Sequence, residues 1–333
     1  MRKNFTQSGG VAMKMLLRSA AALTAGIALA LPALAQTVLT SGPVQIGIGS
    51  KGSLIAYDNV LQDYVGLSLG GARSGEAIFV GLEYEAWGVS ASGTVAGDSW
   101  LSPLGNLNLL SFTATPTTAT SVTSVSSLPD LVVAHHFSPA VSSSMGALYE
   151  VQVVLANLSN INPLTDLRYV RVVDWDVPPA EFSEYITVGG LPASNVALVH
   201  NNGFATSDPL VSTSAIGTFP ANTNVSDWGP RDQGVYFLLQ FGDLAPGAMK
   251  RFSMFYGAAY DEATAMSMLT SVGAEVYSLA QPDGSPTGNT FILAFKGVGG
   301  TPLGDQPVIP EPGTWALMLS GIAPVVWRLR RNA

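Results

Sequence analysis

Asp174-Trp175-Asp176, followed by Pro178-Pro179, Glu181 and Glu184, is the densest group of residue types that could do chemistry. On a strand, Asp174 and Asp176 fall on one face and Trp175 on the other. Their Cα atoms then lie about 6.6 Å apart, close enough for two carboxylates to share a hard cation such as calcium. Paired carboxylates beside an aromatic ring also suit sugar binding or glycoside hydrolysis. The plainer alternative ends the strand on Asp and Pro, buries Trp175 and lets Arg168 or Arg171 neutralise the acids. That alternative is favoured, because the sequence does not set the separation of the carboxylates in space. No catalytic residue and no metal centre is assigned, and calcium is the one cofactor these residue types allow.

Other motifs carry less. His135-His136 are adjacent, so on a strand they face opposite ways and cannot chelate together. With His200 they are the only histidines, which argues against a histidine metal centre. Gly47-Ile48-Gly49-Ser50-Lys51-Gly52 matches G-x-G-x-x-G, but that fingerprint needs a helix directly after it. The next segment, Ser53–Tyr57, reads as a strand, so a glycine hairpin explains the match. Trp87, Trp100, Trp175 and Trp228 could form a saccharide platform, although most are expected in the core. The chain has no cysteine, which excludes disulfides, thiolate metal sites and cysteine nucleophiles.

These residues must be held by strands. Apolar segments of strand length recur at Val44–Ile48, Leu54–Tyr57, Ala77–Val80, Tyr84–Val89, Leu107–Thr113, Leu131–Phe137 and Leu148–Ala156. The series continues at Leu167–Trp175, Tyr185–Val188, Val196–His200, Val235–Phe241, Lys250–Tyr256 and Thr290–Phe295. Gly, Pro, Asn and Asp punctuate them. Thr113–Ser127, rich in Ser, Thr and Val, reads as an exposed strand pair or a long loop. One helix is expected: Asp261 caps it, Met266, Leu269, Val272 and Val276 recur at helical spacing, and Gly273 threatens to end it early. The pattern predicts an all-β sandwich over residues 36–304 with that single helix near its end. A two-sheet supersandwich, as in sugar mutarotases, fits the length; this is an analogy of fold and assigns no activity.

Composition limits the partners. Hydrophobic residues make up 47% and charged residues only 11%, so Gly, Ser, Thr and Asn must supply the polar surface. Residues 36–309 carry eight Lys and Arg against 22 Asp and Glu, a net charge of −14. Such a body repels phosphate backbones, and nucleic acid is not expected as a partner.

The basic residues gather at the two ends. Lys14 and Arg18 precede an apolar run, Ala20–Leu31, which Pro32 breaks before Ala33-Leu34-Ala35. This is the order of a secretory signal peptide over residues 1–35, cut after Ala35 to leave Gln36 first. It implies signal peptidase and an export machinery as partners. At the other end, residues 305–309 read as a linker to Pro310-Glu311-Pro312. The 14 apolar-rich residues Thr314–Trp327 come next, then Arg328, Arg330 and Arg331. As a helix that run is about 21 Å long. A hydrocarbon core is ~30 Å thick, so Arg328 must snorkel or the bilayer must thin, and the terminal arginines should stay cytoplasmic.

Residues 310–333 resemble the PEP-CTERM sorting signal of Gram-negative bacteria, through Pro310, Glu311, Pro312, Thr314, Trp315, Gly321 and the Arg328–Arg331 cluster. The resemblance implies recognition near Pro-Glu-Pro by a membrane-embedded exosortase, and an organism that makes extracellular polysaccharide. The apolar run is short for that family and Pro324 interrupts it. Residues 167–176 and 291–300 resemble segments of PEP-CTERM proteins without an assigned activity, so they add none. The expectation is an exported protein, anchored transiently in the inner membrane and then placed at the cell surface or in the extracellular matrix. Its role there would be structural, adhesive or polysaccharide-associated and not enzymatic. The alternative is a carbohydrate-binding or carbohydrate-active module that uses Asp174, Asp176, Glu181 or Glu184.

Overall fold

The computed structural model describes residues 36–71, 73–80 and 84–304. In chain order the first strands are β1 (Gln36–Ser41), β2 (Val44–Gly49), β3 (Ala56–Asp58), β4 (Asp63–Val65) and β5 (Leu67–Leu69). Then come β6 (Glu85–Ala91), β7 (Thr94–Ser99), β8 (Leu107–Ala114), β9 (Ala119–Val125), β10 (Leu128–Ser142), β11 (Gly146–Asn157) and β12 (Leu164–Trp175). The last are β13 (Glu184–Gly189), β14 (Val196–His200), β15 (Val225–Arg231), β16 (Gln233–Leu244), β17 (Met249–Ala259), β18 (Val276–Gln281) and β19 (Thr290–Lys296). A single α-helix, α1 (Glu262–Val272), lies between β17 and β18 among the described residues. The fold is all-β, as the strand pattern implies.

Two large antiparallel sheets dominate. The nine-stranded sheet runs β15-β13-β18-β19-β17-β11-β10-β9-β8, and the five-stranded sheet β14-β16-β12-β6-β7. A smaller sheet, β1-β2-β5, and the β3–β4 hairpin complete the set. Alternation along β12 shows how the large pair packs. Tyr169, Val173 and Trp175 belong to the main core, whereas Val170 and Val172 belong to a separate cluster on the other face. Tyr169 meets Phe252 of β17 at 5.2 Å between ring centroids, and Trp175 meets Phe291 of β19 at 6.4 Å. Phe237 of β16 meets Phe295 of β19 at 4.9 Å. The two sheets are therefore face to face, with these side chains as the shared core.

Helix α1 covers part of the outer face of the large sheet. Ala265, Met268 and Leu269 are buried there with Leu148, Phe255, Ile292 and Ala294. Its ends are chemically set. Asp261 accepts the Thr264 N–H at 2.7 Å. Gly273 adopts a left-handed conformation (φ 64) and returns its N–H to the last turn. Lys296 donates to the Val272 carbonyl at 2.9 Å. Replacing Asp261 with Ala should cost about 1 kcal/mol, read as a lower urea midpoint with an unchanged slope.

Several expectations change. Gly273 does end the helix, so Val276 lies in β18 and not on the helix. Thr113–Ser127 takes part in a strand pair, β8 with β9, but only its two ends are exposed: β9 also pairs with β10, and Ser121–Val125 are buried. Ala77–Val80 forms no strand, although Ala77, Ile78 and Phe79 are buried: the Ile78 and Phe79 N–H groups serve the Glu76 carboxylate and the Ala77 carbonyl serves Asp176. No described helix is long and apolar enough to cross a membrane. The expected signal peptide over 1–35, the expected linker 305–309, and the expected sorting tail and transmembrane helix over 310–333 lie outside the described residues.

The G-x-G-x-x-G segment begins inside β2 and leads to β3 with no helix after it, but the expected hairpin is not formed: β2 pairs with β1 and β5, and β3 with β4. Its turn is clamped between the sheets. Ser121, Trp87 and Arg171 donate to the carbonyls of Ser50, Lys51 and Gly52 at 2.7, 3.0 and 3.3 Å. A Cβ on Gly52 (φ 91) would stand 2.6 Å from His135 Nδ1, so the turn needs glycine there.

Candidate functional site

Asp174 and Asp176 stand where β12 ends. Trp175 points into the core, fully buried, so both acids face the other way, as the strand period requires. Their backbone is fixed: Asp174 N–H donates to the Tyr84 carbonyl at 2.9 Å, and Asp176 N–H to that of Ala77 at 3.0 Å. Antiparallel pairing sets Asp174 opposite Gly234 and Trp175 opposite Gln233. One step further along this register, Asp232 stands beside Asp176. Oxygens of Asp174, Asp176 and Asp232 all lie within 4.8 Å of one another. Glu184, the first residue of β13, is completely buried nearby.

The site lies at a seam. Between β12 and β16 the chain changes four times between the five-stranded and the nine-stranded sheet, first after β12 and last between β15 and β16. Asp176, Glu181 and Glu184 belong to the first crossing and Asp232 to the last. Glycine permits the close approach: a Cβ at Gly203 or Gly234 would lie 2.7 or 2.8 Å from the Asp174 Cα. Behind the acids, the Gln233 amide donates to the Glu184 carbonyl at 3.0 Å and the Trp228 carbonyl at 2.6 Å. It accepts from Asn201 at 2.9 Å.

No described cation neutralises this cluster. Arg168 pairs with Asp166, and Arg171 with Glu85 on the opposite face of β12. The expected neutralisation by Arg168 or Arg171 is therefore corrected. Asp174 Oδ1, both Asp176 carboxylate oxygens and Glu184 Oε2 are buried without a hydrogen-bond partner. Glu184's other oxygen accepts from the Phe182 N–H. Burial, then the neighbouring carboxylates, pushes Asp174 up to about 9 and Asp176 up to about 8. Burial pushes Glu184 up to about 7, and raises Asp232 as well. Glu181 is half-buried and adds its charge to the field on Asp176.

Such a cluster is suited to a hard divalent cation. Calcium binds oxygens at about 2.3–2.6 Å, so oxygens up to about 4.8 Å apart fit on one coordination shell. It is poorly suited to glycoside hydrolysis, where two carboxylates must flank a sugar. Asp174 and Asp176 are only 2% and 1% exposed, which leaves no room for a ring between them.

The remaining candidates separate cleanly. His135 is in the core with its Nε2 at 2.9 Å from the Tyr169 hydroxyl, and His136 lies on the outer face beside Thr120. His200 stacks on Tyr236 at 4.6 Å. Trp87 and Trp175 are core residues, Trp228 is half-buried and Trp100 is 47% exposed. Asp232 carries no local sequence signal, since only the β12–β16 register brings it in.

No family model matches the chain, and no curated protein matches it. Among solved structures, a galactose mutarotase-like protein from Lactobacillus casei ATCC 334 is similar at 8% identity. That alignment covers 78% of this chain and 87% of the other, with a TM-score of 0.28. A likeness of that size carries no argument about fold family or activity.

Proposed function

We propose that this chain is an exported, non-enzymatic cell-surface protein whose β-sandwich binds a divalent cation, calcium by preference, at the seam between its sheets. One observation carries the reading: three carboxylates within 4.8 Å of one another, two of them buried, with no described counter-charge. Asp174, Asp176 and Asp232 would supply the ligands, with Glu184 beside them. The chemistry is structural, joining the first and last of these crossings of the chain at a point where like charges otherwise repel. Export rests on the Ala33–Ala35 site ahead of Gln36. Sorting by an exosortase-type enzyme rests on Pro310-Glu311-Pro312 and on the Arg328, Arg330 and Arg331 stop at the inner membrane. A role beside extracellular polysaccharide comes from that same tail. The mutarotase-like supersandwich is a finer reading of the fold, supported by two large antiparallel sheets alone.

The test is direct. Terbium, which replaces calcium and is excited through nearby aromatic rings, should bind the purified chain and be displaced by calcium. Asp176→Asn should abolish the luminescence while leaving the far-ultraviolet circular dichroism unchanged. A folded chain that takes up neither ion would refute the proposal.

A further inference from the structure

We infer that β8 is a self-association surface: two copies of this chain pair β8 with β8, antiparallel about a two-fold axis, and join their nine-stranded sheets into one. The inference is independent of the cation reading, because β8 ends that sheet at the side opposite β13 and β15. Among the described residues β8 pairs with β9 alone. The outward half of its N–H and C=O groups therefore faces no strand, and such a row is a template for one. The other edges of the two large sheets are managed. β15 carries Asp227, Pro230 and Arg231, and its pairing with β13 is twice interrupted. Gly97 of β7 exchanges both backbone hydrogen bonds with Gly105, at 3.1 and 3.0 Å. Val199 of β14 donates its N–H to the Asn222 side chain at 2.7 Å and accepts the Asn222 N–H at 2.9 Å. β8 reads Leu-Asn-Leu-Leu-Ser-Phe-Thr-Ala, with no proline and no charge.

One irregularity in β8 sets the register of self-pairing. Leu109 stands opposite Thr123 and Ser111 opposite Val122, so Leu110 is the extra residue of a bulge. Leu107 and Phe112 accordingly both pack toward the main core, while Leu110 packs on the outer face of the sheet. Leu109 faces the same way as Leu107, two residues before it. In an unbroken strand Leu109 and Phe112 would face opposite ways; the bulge puts them on one face. An axis between Leu110 and Ser111 then sets Leu109 of each copy against Phe112 of the other. It also sets Leu107 against Ala114 on that face, and Asn108 against Thr113 on the opposite face. Apolar residues meet apolar ones and polar meet polar, which a single sequence achieves with itself through the two-fold axis. Leu109 is 43% exposed and Phe112 half-buried, so the pairing covers apolar surface that one copy leaves open.

Charge points to the same face. Residues 36–309 carry eight basic against 22 acidic residues, so two copies repel each other over most of their surface. No charged residue stands between Asp98 and Asp130, the stretch that contains β8 and β9. This edge is where two such bodies approach with least repulsion.

Two measurements on the full chain test this. Sedimentation equilibrium in EDTA, over about 1–100 µM, should show a monomer–dimer equilibrium. Leu109→Lys, which places a charge on the edge and leaves both ends of the chain intact, should weaken it at least about tenfold with unchanged circular dichroism. The second measurement reads the register and does not need the lysine variant to fold. The chain has no cysteine, so Asn108→Cys and Thr113→Cys each carry a single thiol. In the dimer the two positions stand opposite one another, within disulfide reach, whereas each lies about 15 Å or more from its own counterpart. Mixed and oxidised, the two variants should cross-link to each other at least about tenfold more than either links to itself. A monomer at every concentration overturns the inference. So does a dimer that survives Leu109→Lys, which would be built on another face or on the chain ends. Equal self-linking of either variant, or no cross-link in the mixture, also overturns it.

Discussion

In EDTA the chain should lose stability as the pH rises from about 5 to about 9, and calcium should reverse that trend. The sign comes from the direction of the shifts. In the unfolded chain Asp and Glu release their protons near pH 4. In the fold, burial first and neighbouring carboxylates second hold Asp174 at about 9, Asp176 at about 8 and Glu184 at about 7. The folded state thus retains protons that the unfolded state has released. The stability they confer is fully present below pH 4 and disappears as the pH climbs through the folded values. The slope is up to about 1.4 kcal/mol per pH unit for each retained proton. The carboxylates are coupled, so the protons leave as a set and the shifts do not simply add.

Calcium replaces those protons. Its stabilisation should therefore be small at pH 5 and large at pH 9, with protons released on binding. Asp176→Asn should behave inversely: more stable than the parent in EDTA at pH 9, and indifferent to calcium. Urea midpoints at pH 5, 7 and 9, with calcium and with EDTA, decide the matter. A midpoint in EDTA that stays flat or rises across this range would contradict the charge assignment at the seam.

Glu85→Gln should cost the fold about 3–5 kcal/mol, because it leaves a buried guanidinium without its counter-charge. The side chains of Arg171 and Glu85 are both fully buried and lie between the sheets. Tyr256 of the opposite sheet donates to Glu85 at 3.0 Å and accepts from Arg171 at 2.7 Å. The Leu54 N–H donates to the second Glu85 oxygen at 2.7 Å. Burial opposes the Arg171 charge, but Glu85, Tyr256 and Tyr169 hold the guanidinium protonated. Burial pushes the Glu85 carboxyl up against the pull of Arg171.

The two halves of the pair should not respond alike. Arg171→Met leaves a carboxyl that can escape its burial by taking a proton, whereas arginine has no such escape. Arg171→Met should therefore cost less than Glu85→Gln, and least at pH 5. The double variant should recover part of the loss. Equal losses for both single variants at pH 5 would show that protonation of Glu85 does not relieve the site. The pair also holds the Ser50–Ser53 turn, through Gly52 and Leu54, so its loss should loosen the glycine segment first.

Much of the scaffold is legible in the sequence because it is local. Strand period two explains why Trp175 enters the core and why Asp174 and Asp176 share a face. The Asp261 cap and the left-handed Gly273 delimit the helix by backbone chemistry alone. The same period also argues against the expected neutralisation of the acids. Arg171 is three residues from Asp174 and so faces the other side of the strand. Arg168 faces the same side but lies about 20 Å away along an extended chain. Neither can neutralise the acids: parity excludes Arg171, and distance along the strand excludes Arg168.

Asp232 is not legible in this way. It is remote in sequence from Asp176, and it sits in an ordinary bend between two strands. The antiparallel register of β12 with β16 places it beside Asp176, and that register depends on core packing along the full length of both strands. Burial is likewise undecidable from the sequence, and burial of Asp174, Asp176 and Glu184 is what turns ordinary carboxylates into a site. A carboxylate in water needs no partner; one without a hydrogen bond inside a protein needs a proton or a cation. The sequence by itself determined which side chains share a strand face, and only the tertiary pairing of β12 with β16 and the packing around it decided which charges would lie beside one another away from water.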